Sequence, residues 1–439
     1  MNDSKLKVLH QIFKILVDNE IKSIRIDYLL SSDLLSKKFS NPDIRFIYKV
    51  THGVIRNKSK LDYYISKFYD GKFKKLLIKY KIILRMGLYQ LFYMDSVPNY
   101  AAVDSIVDLC KKVDPSKHQL VNAIMRKLSD NISIKNEEIK DLAVQFSHPQ
   151  WLLDKWKNQW DNDTILKLMI HNNEEPRIWF RINKLKSSNN KIYTLLNKEN
   201  IDFKKSDIMD NFFYTHSVQD LINSAIMKND LISVQNPSNG LVVHLLNPQE
   251  NQTIFDGCSA PGGKMNYINE ITNGASTINA YDIDSKRIQI AMDYLKKNNI
   301  KNINYHQADL SLDKIKPYKI GLIDVPCTGT GVLSKRADLR WRKKPEDIKE
   351  MNQIQSSIMQ NVSKYLEDGG VLVYSTCSIE QEENWEIVDN FLNSNVNFKL
   401  DRADKFITNK YVDKNGCLSI LPSSNGLDGV FAARLIKNG

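Results

Sequence analysis

The sequence predicts three domains in a row: an all-helical one over residues 1–135, a small mixed α/β module over 145–232, and a doubly wound parallel α/β domain over 233–439. Three observations predict this order. Apolar residues recur at helical spacing, with few strand-like alternations, through the first third of the chain. A tryptophan-rich helix and an alternating strand come next. From 233 onward apolar strands and amphipathic helices take turns.

The first segment is justified stripe by stripe. "LKVLHQIFKILV" puts Leu6, Leu9, Phe13 and Leu16 three or four residues apart, on one face of a helix. "IRFIYKVTHGVI", "IILRMGLYQLFYM", "AAVDSIVDLCKKV" and "HQLVNAIMRKLSD" repeat the pattern, and Pro98 and Pro115 punctuate the joins. Cys110 falls on an apolar helical face and reads as core. In the second segment "SHPQWLLDKWKNQW" opens a helix and "PRIWFRINKLK" alternates like a strand. "NKIYTLLNKENIDFKKS" gives a helix and a further short strand. Its Trp and Arg residues read mainly as packing between modules. In the third, the strands "QTIFDG", "STINAYDID", "INYHQADL", "KIGLIDVP" and "GVLVYSTCS" are separated by helical patterns such as "SKRIQIAMDYLKKNN". Long apolar strands of this kind are buried on both faces, as in a parallel sheet.

Composition narrows the class. Five cysteines (110, 258, 327, 377 and 417) form no C-x-x-C pair, so neither a disulfide framework nor a zinc ribbon is indicated, and no resident metal is expected. The amino-terminal stretch lacks an uninterrupted apolar core with a small-residue cleavage site, and no apolar run reaches the ~18 residues of a membrane span. A reducing cytoplasm and a monomer are expected. The formal charge of +11 favours a polyanionic partner such as nucleic acid, although a lysine-rich surface alone would give the same number.

In a doubly wound sheet, ligands bind beyond the carboxyl ends of the strands. The first strand ends in "FDGCSAPGGK". Its loop from Cys258 through Ser259, Ala260, Pro261, Gly262 and Gly263 to Lys264 leads into a helix whose free N–H groups suit a negative group. The second strand ends at Asp282, nineteen residues after Gly263, where a carboxylate can accept from ribose hydroxyls; the third ends at Asp309, where an adenine amino group can be met. A nucleoside cofactor is indicated. Nicotinamide dinucleotides use a similar loop, but G-x-G-x-x-G spacing is absent and Pro261 interrupts it.

Strands four and five each end in a thiol, Cys327 in "DVPCTGTG" and Cys377 in "YSTCS", with Asp324 close by. Paired thiols at adjacent strand ends suit covalent chemistry. They fit cytosine in particular: C5 becomes nucleophilic once a thiolate adds at C6, and Asp324 hydrogen bonding at N3 would stabilise the charge that develops on the ring.

"DGCSAPGGK", "DVPCTGTGVL" and "YSTCSIEQEEN" resemble motifs of the RNA cytosine-C5 methyltransferases that use S-adenosylmethionine, and "SHPQWLLDKW", "PRIWFRIN" and "LDGVFAARL" are similar to the same group. "LRMGLYQLFYM" and "QLVNAIMRKL" resemble the NusB antitermination fold, a fusion typical of the Sun/Fmu group of ribosomal RNA methyltransferases. The resemblance implies a Rossmann-like catalytic domain and 16S ribosomal RNA as substrate. It implies Cys377 as nucleophile, Cys327 as an aid to product release, and a cofactor held by the loop from Cys258 to Lys264 with Asp282, Asp309 and Asp324. The chain departs from the usual pattern at Ser259, where alanine is common, and at Asn236-Pro237, where Asp-x-Ala is more frequent.

Directly after the Cys327 loop, "SKRADLRWRKKPED" gathers Lys335, Arg336, Arg340, Arg342, Lys343 and Lys344 around Trp341. Cations that neutralise phosphates and an aromatic that stacks on a base form an expected RNA-binding run. The catalytic motifs alone leave transfer RNA open as the substrate, and a non-catalytic RNA-binding assembly factor is the reading from a different class.

Overall fold

A computed structural model of the chain describes residues 3–31, 35–422 and 426–439. It contains two compact units: residues up to Glu174 together with Leu333–Lys343, and Glu175–Val332 together with Lys344–Gly439.

The first unit is helical. Helices α1 (Asp3–Lys22), α2 (Asn41–Arg56), α3 (Lys58–Lys67), α4 (Ile78–Tyr93), α5 (Asn99–Val113) and α6 (His118–Asp130) belong to it, and all but α3 carry the predicted stripes. Leu9, Ile12, Val50, Leu61, Ile83, Leu109 and Val121 are fully buried in one core, and Cys110 with them. Ser40 starts α2 with a reciprocal capping box to Asp43. Arg85 is buried in α4 and satisfied by Asp62 and Glu20. The tryptophan-rich stretch forms α7 (Gln150–Lys157), followed by α8 (Asn162–Asn173), and both are counted in this unit.

The second unit opens with an antiparallel sheet of strands β1 (Ile178–Ile182), β2 (Lys204–Lys205), β3 (Phe212–Thr215) and β4 (Ile232–Val234), in the order β2-β3-β1-β4. Helix α9 (Asn189–Lys198) packs Ile192 and Leu196 against Phe180 and Phe213. Strands β3 and β4 are too short for periodicity to register. Helix α10 (Pro237–Leu246) follows, and Asn236 is its cap, accepting from the Ser238 N–H at 3.1 Å. The departure at this position thus has a structural use.

The main sheet then forms from β5 (Thr253–Gly257), β6 (Thr277–Asp282), β7 (Ile303–Gln307), β8 (Tyr318–Asp324), β9 (Leu366–Thr376), β10 (Phe398–Asp401), β11 (Leu418–Ile420) and β12 (Val430–Lys437). Helices α11 (Gly263–Ile271), α12 (Ser285–Lys297), α13 (Pro345–Ser363) and α14 (Trp385–Ser394) belong to the same unit. Strand order is β10-β12-β9-β8-β5-β6-β7, with β11 on β12. The five predicted strands pair in parallel. The sheet is mixed rather than wholly parallel, because β12 runs antiparallel to β9 and β10. An antiparallel partner needs no crossover helix.

The chain runs from β5 outward through β6 to β7, then returns to β8 on the other side of β5 and continues to β9. The crevice above β5 and β8 is therefore the switch point at which such sheets bind ligands.

Candidate active site

The predicted cofactor loop sits at the end of β5. Cys258 has φ +55° and Gly262 φ +98°, and together they fold the chain back into the start of α11. A Cβ at Gly262 would come within 2.8 Å of Met265 Cε in a conformation that L side chains rarely adopt, so glycine is required there. Ser259, the departure from the usual loop, donates its hydroxyl to Asp256, and its N–H bonds Tyr281 O at 3.0 Å. Asp282 is buried; its carboxylate accepts from the N–H groups of Ala260 and Asp284, both at 2.9 Å. Arg287 caps the other side of the loop through the Ala260 carbonyl. Asp309 is half-buried and accepts from Ser311 N–H at 2.9 Å. The sequence brought Asp282 and Asp309 into one cluster, and the structure puts both at carboxyl ends of neighbouring strands.

Three participants escaped the sequence reading. Asp256 lies inside β5 beneath the loop, and burial pushes its carboxyl up to about 7; its Oδ1 is buried without a hydrogen-bond partner among the described residues. That orphaned oxygen is an observation that fits a polar ligand group above the loop. Arg181 of β1 is fully buried: it clamps Glu270 of α11 through two bonds at 2.6 and 3.0 Å and reaches Gln235 and the Gly263 carbonyl. Ile283, directly after Asp282, is 62% exposed, an apolar surface that a flat base could cover. A buried arginine and an exposed isoleucine look ordinary in a linear sequence. Their signal lies only in their surroundings.

The thiols meet. Register between β8 and β9 places Asp324 opposite Ser375, so the chain beyond each strand arrives at the same height. Cys327 Sγ and Cys377 Sγ are 3.1 Å apart and not bridged by a disulfide. The hydrogen bond to Cys377, followed by burial, raises the Cys327 thiol well above its ordinary value and holds the proton on Cys327. Gly331 N–H bonds the Cys377 carbonyl at 3.0 Å, and a Cβ at Gly331 would lie 2.7 Å from that oxygen, so only glycine lets the loops touch. Asp324 Oδ2 pairs with Lys264 Nζ at 2.6 Å, while Oδ1 accepts from Ser375 at 2.9 Å. Lys264 thus reaches from the cofactor loop to the thiol side of the site.

The expected RNA-binding run divides. Leu333–Lys343 belongs to the helical unit. Arg340 is buried there, donating to Ser147 O, Asn173 Oδ1 and Asn172 O at 3.2, 2.6 and 2.7 Å. Trp341 donates its indole N–H to Ile55 O at 2.8 Å and packs on the helical core. The expectation that Arg340 contacts RNA is corrected, because its guanidinium is buried and bonded within the unit; Trp341 is half-buried, with its indole N–H already taken. Arg342 pairs with Asp338, Arg336 and Lys344 are exposed, and Lys335 and Lys343 are half-buried.

The sheet order and the loop over its switch point define a Rossmann-like catalytic domain. Family models match the chain in three blocks: the 16S rRNA methyltransferase RsmB/F domain over 243–436, the NusB family over 5–130, and the RsmF/B-like ferredoxin-like domain over 148–214. A probable ribosomal RNA small subunit methyltransferase B of Synechocystis sp. is 30% identical, covering 97% of this chain and 98% of its own. The ribosomal RNA small subunit methyltransferase B of Proteus mirabilis is also 30% identical, over 86% and 90%. A methyltransferase homolog protein of Pyrococcus horikoshii shares the fold at TM-score 0.57 and 22% identity, covering 67% of this chain and 97% of that one. The chain belongs to the ribosomal RNA small subunit methyltransferase B family, with a NusB domain, a small linker domain and a Rossmann-like methyltransferase domain. Among the described residues, no helix is long and apolar enough to cross a membrane.

Proposed function

We propose that the protein methylates C5 of cytosine in 16S ribosomal RNA through a covalent adduct between Cys377 and C6 of the base. The observation that carries this reading is the pair of thiols 3.1 Å apart at adjacent strand ends, next to a glycine loop and its carboxylates. Bound S-adenosylmethionine would supply an electrophilic methyl group. The loop from Cys258 to Lys264, Asp282 and Asp309 would hold it, Ile283 would cover its base, and the free Oδ1 of Asp256 would take a polar group. Asp324, kept in place by Lys264 and Ser375, would hydrogen-bond the cytosine ring near N3.

The two sulfurs divide the work. The contact with Cys377 and burial favour the protonated thiol at Cys327, which is placed to give a hydrogen bond to the Cys377 sulfur when Cys377 attacks as thiolate. Its electron pair forms the S–C6 bond and the ring's charge is taken up around N3. Once C5 carries the methyl, the C5–H bond breaks, its proton goes to water, and the pair closes the C5=C6 double bond. The C6–S bond breaks with its electrons returning to Cys377, whose departing sulfur accepts the Cys327 S–H hydrogen bond. The exposed Arg336 and Lys344, with Lys335 and Lys343, would contact phosphates.

The test uses labelled RNA with S-adenosylmethionine. Cys377→Ala should give neither product nor adduct. Cys327→Ala should accumulate an RNA–protein adduct on a denaturing gel. Adduct with Cys377→Ala instead would exchange the roles, and full activity of both variants would refute the mechanism. Bisulfite sequencing of ribosomal and transfer RNA from a deletion strain would identify the RNA.

A further inference from the structure

Glu383 is fully buried, and no lysine or arginine pairs with it among the described residues. Its carboxylate is met by neutral donors only. Oε1 accepts from the Thr328 N–H at 2.8 Å and from Gln355 Nε2 of α13 at 3.1 Å. Oε2 accepts from the hydroxyls of Thr328 and Ser378. Thr328 is the residue after Cys327 and Ser378 the residue after Cys377. One carboxylate therefore ties together the two turns that carry the thiols.

The two turns depend on it unequally. Cys377 follows a strand held on both edges, since Thr376 pairs with Phe431 and Ser375 with Asp324. Its carbonyl takes the Gly331 N–H, the Thr376 hydroxyl is fixed by Asn384 at 2.6 Å, and the Ile379 N–H bonds Thr330. Cys327 follows Pro326, beyond the last paired residue of β8. Next to it, the Val325 N–H bonds Ser375 O at 3.0 Å, Gln355 bonds the Pro326 carbonyl at 2.8 Å, and Thr328 gives Glu383 two bonds and touches the Ser378 hydroxyl at 3.4 Å; Thr330 and Gly331, further along the same loop, bond the Cys377 turn. Without the carboxylate, Thr328 beside Cys327 loses both of its bonds to Glu383, whereas Cys377 keeps the strand pairing on both of its edges.

We propose that Glu383 is a positioning residue that sets where Cys327 sits, and through it the breakdown of the adduct rather than its formation. This rests on the division of roles between the thiols given above. Loss of the two Thr328 bonds lets the Cys327 S–H drift from the 3.1 Å contact, and the departing Cys377 sulfur loses its hydrogen-bond donor. Attack and methyl transfer use Cys377 and are spared.

Glu383→Ala and Cys327→Ala are run side by side with labelled RNA and S-adenosylmethionine. Glu383→Ala should accumulate the adduct, keep its single-turnover methyl transfer, and lose multiple turnover on the order of 100-fold, the effect of displacing a reacting group by about 1 Å. Glu383→Gln, whose amide can still accept from Thr328 N–H, should recover most of the turnover. A general folding defect would lower all steps together and would not store adduct. Should Glu383→Ala fail to fold, Thr328→Val carries the same test, because it removes one tether and leaves the carboxylate held by the others. Adduct with Cys327→Ala but not with the tether variants would overturn the inference, as would tether variants that block adduct formation. If Cys327→Ala itself stores no adduct, the underlying division of roles is what fails.

Discussion

Arg181→Ala is expected to destabilise the catalytic unit by about 3–5 kcal/mol, the usual consequence of stripping one partner from a buried ion pair. Both side chains are out of water, at 1% exposure for Arg181 and 3% for Glu270. The arginine makes two bonds to Glu270 and one each to Gln235 and the Gly263 carbonyl, and stacks 4.4 Å over Tyr267. Its loss leaves Glu270 charged and buried. With a urea dependence of about 3 kcal/mol per molar, the midpoint should fall by about 1–2 M.

The sign of the pH dependence follows from Glu270. Burial already raises its pKa against the opposing effect of Arg181, and without the arginine it rises further. A carboxyl raised in the folded state contributes stability at low pH and loses it as pH climbs through the folded value. The deficit of Arg181→Ala should therefore be larger at pH 8 than at pH 5. Adding Glu270→Gln, which removes the stranded charge, should restore a large share of the loss. Urea titrations followed by tryptophan fluorescence would measure all three. A midpoint shift below about 0.3 M, equivalent to about 1 kcal/mol, would refute the reasoning. So would a deficit independent of pH, or a double variant no better than the single.

Asp282→Ala should weaken S-adenosylmethionine binding by about 1–3 kcal/mol, because the N–H groups of Ala260 and Asp284 lose their acceptor along with the proposed ribose contact; calorimetry showing unchanged affinity would contradict this. Asp256, with its folded pKa near 7 against an ordinary 3.8, should make the cofactor-free protein lose stability as pH rises from about 4 to 7, whereas Asp256→Asn should flatten that slope. Parallel thermal-unfolding profiles for the two proteins would exclude it. Replacing Lys343 and Lys344 by Ala should lower RNA affinity and reduce the salt slope by about 0.7–0.9 for each phosphate that is no longer neutralised, while Arg340→Ala should lower the melting temperature of the helical unit; filter binding across a salt series and calorimetry separate the two.

Elements with strong periodicity were readable from the chain alone. The stripe through Leu9 and Leu16 and the five apolar strands from Thr253 to Thr376 have repeat lengths long enough to specify helix or buried strand without knowledge of a partner. The small strands Phe212–Thr215 and Ile232–Val234 are set by pairing with Ile178–Ile182, so nothing local marks them. The same division holds in the site. Loop residues with special backbone demands, such as Gly262, and reactive groups at strand ends, such as Cys327 and Cys377, have a chemistry that shows in residue type and spacing. Arg340 and Trp341 read as RNA ligands because a cation and an indole look alike whether they face solvent or a core. Burial decided otherwise for Arg340, and packing on the helical core takes up part of the Trp341 ring. Glu383, Arg181 and Asp256 were invisible for the converse reason. A carboxylate or guanidinium becomes informative only when tertiary packing removes its water and fixes which groups replace it, and those groups lie between 3 and 89 positions away in the chain.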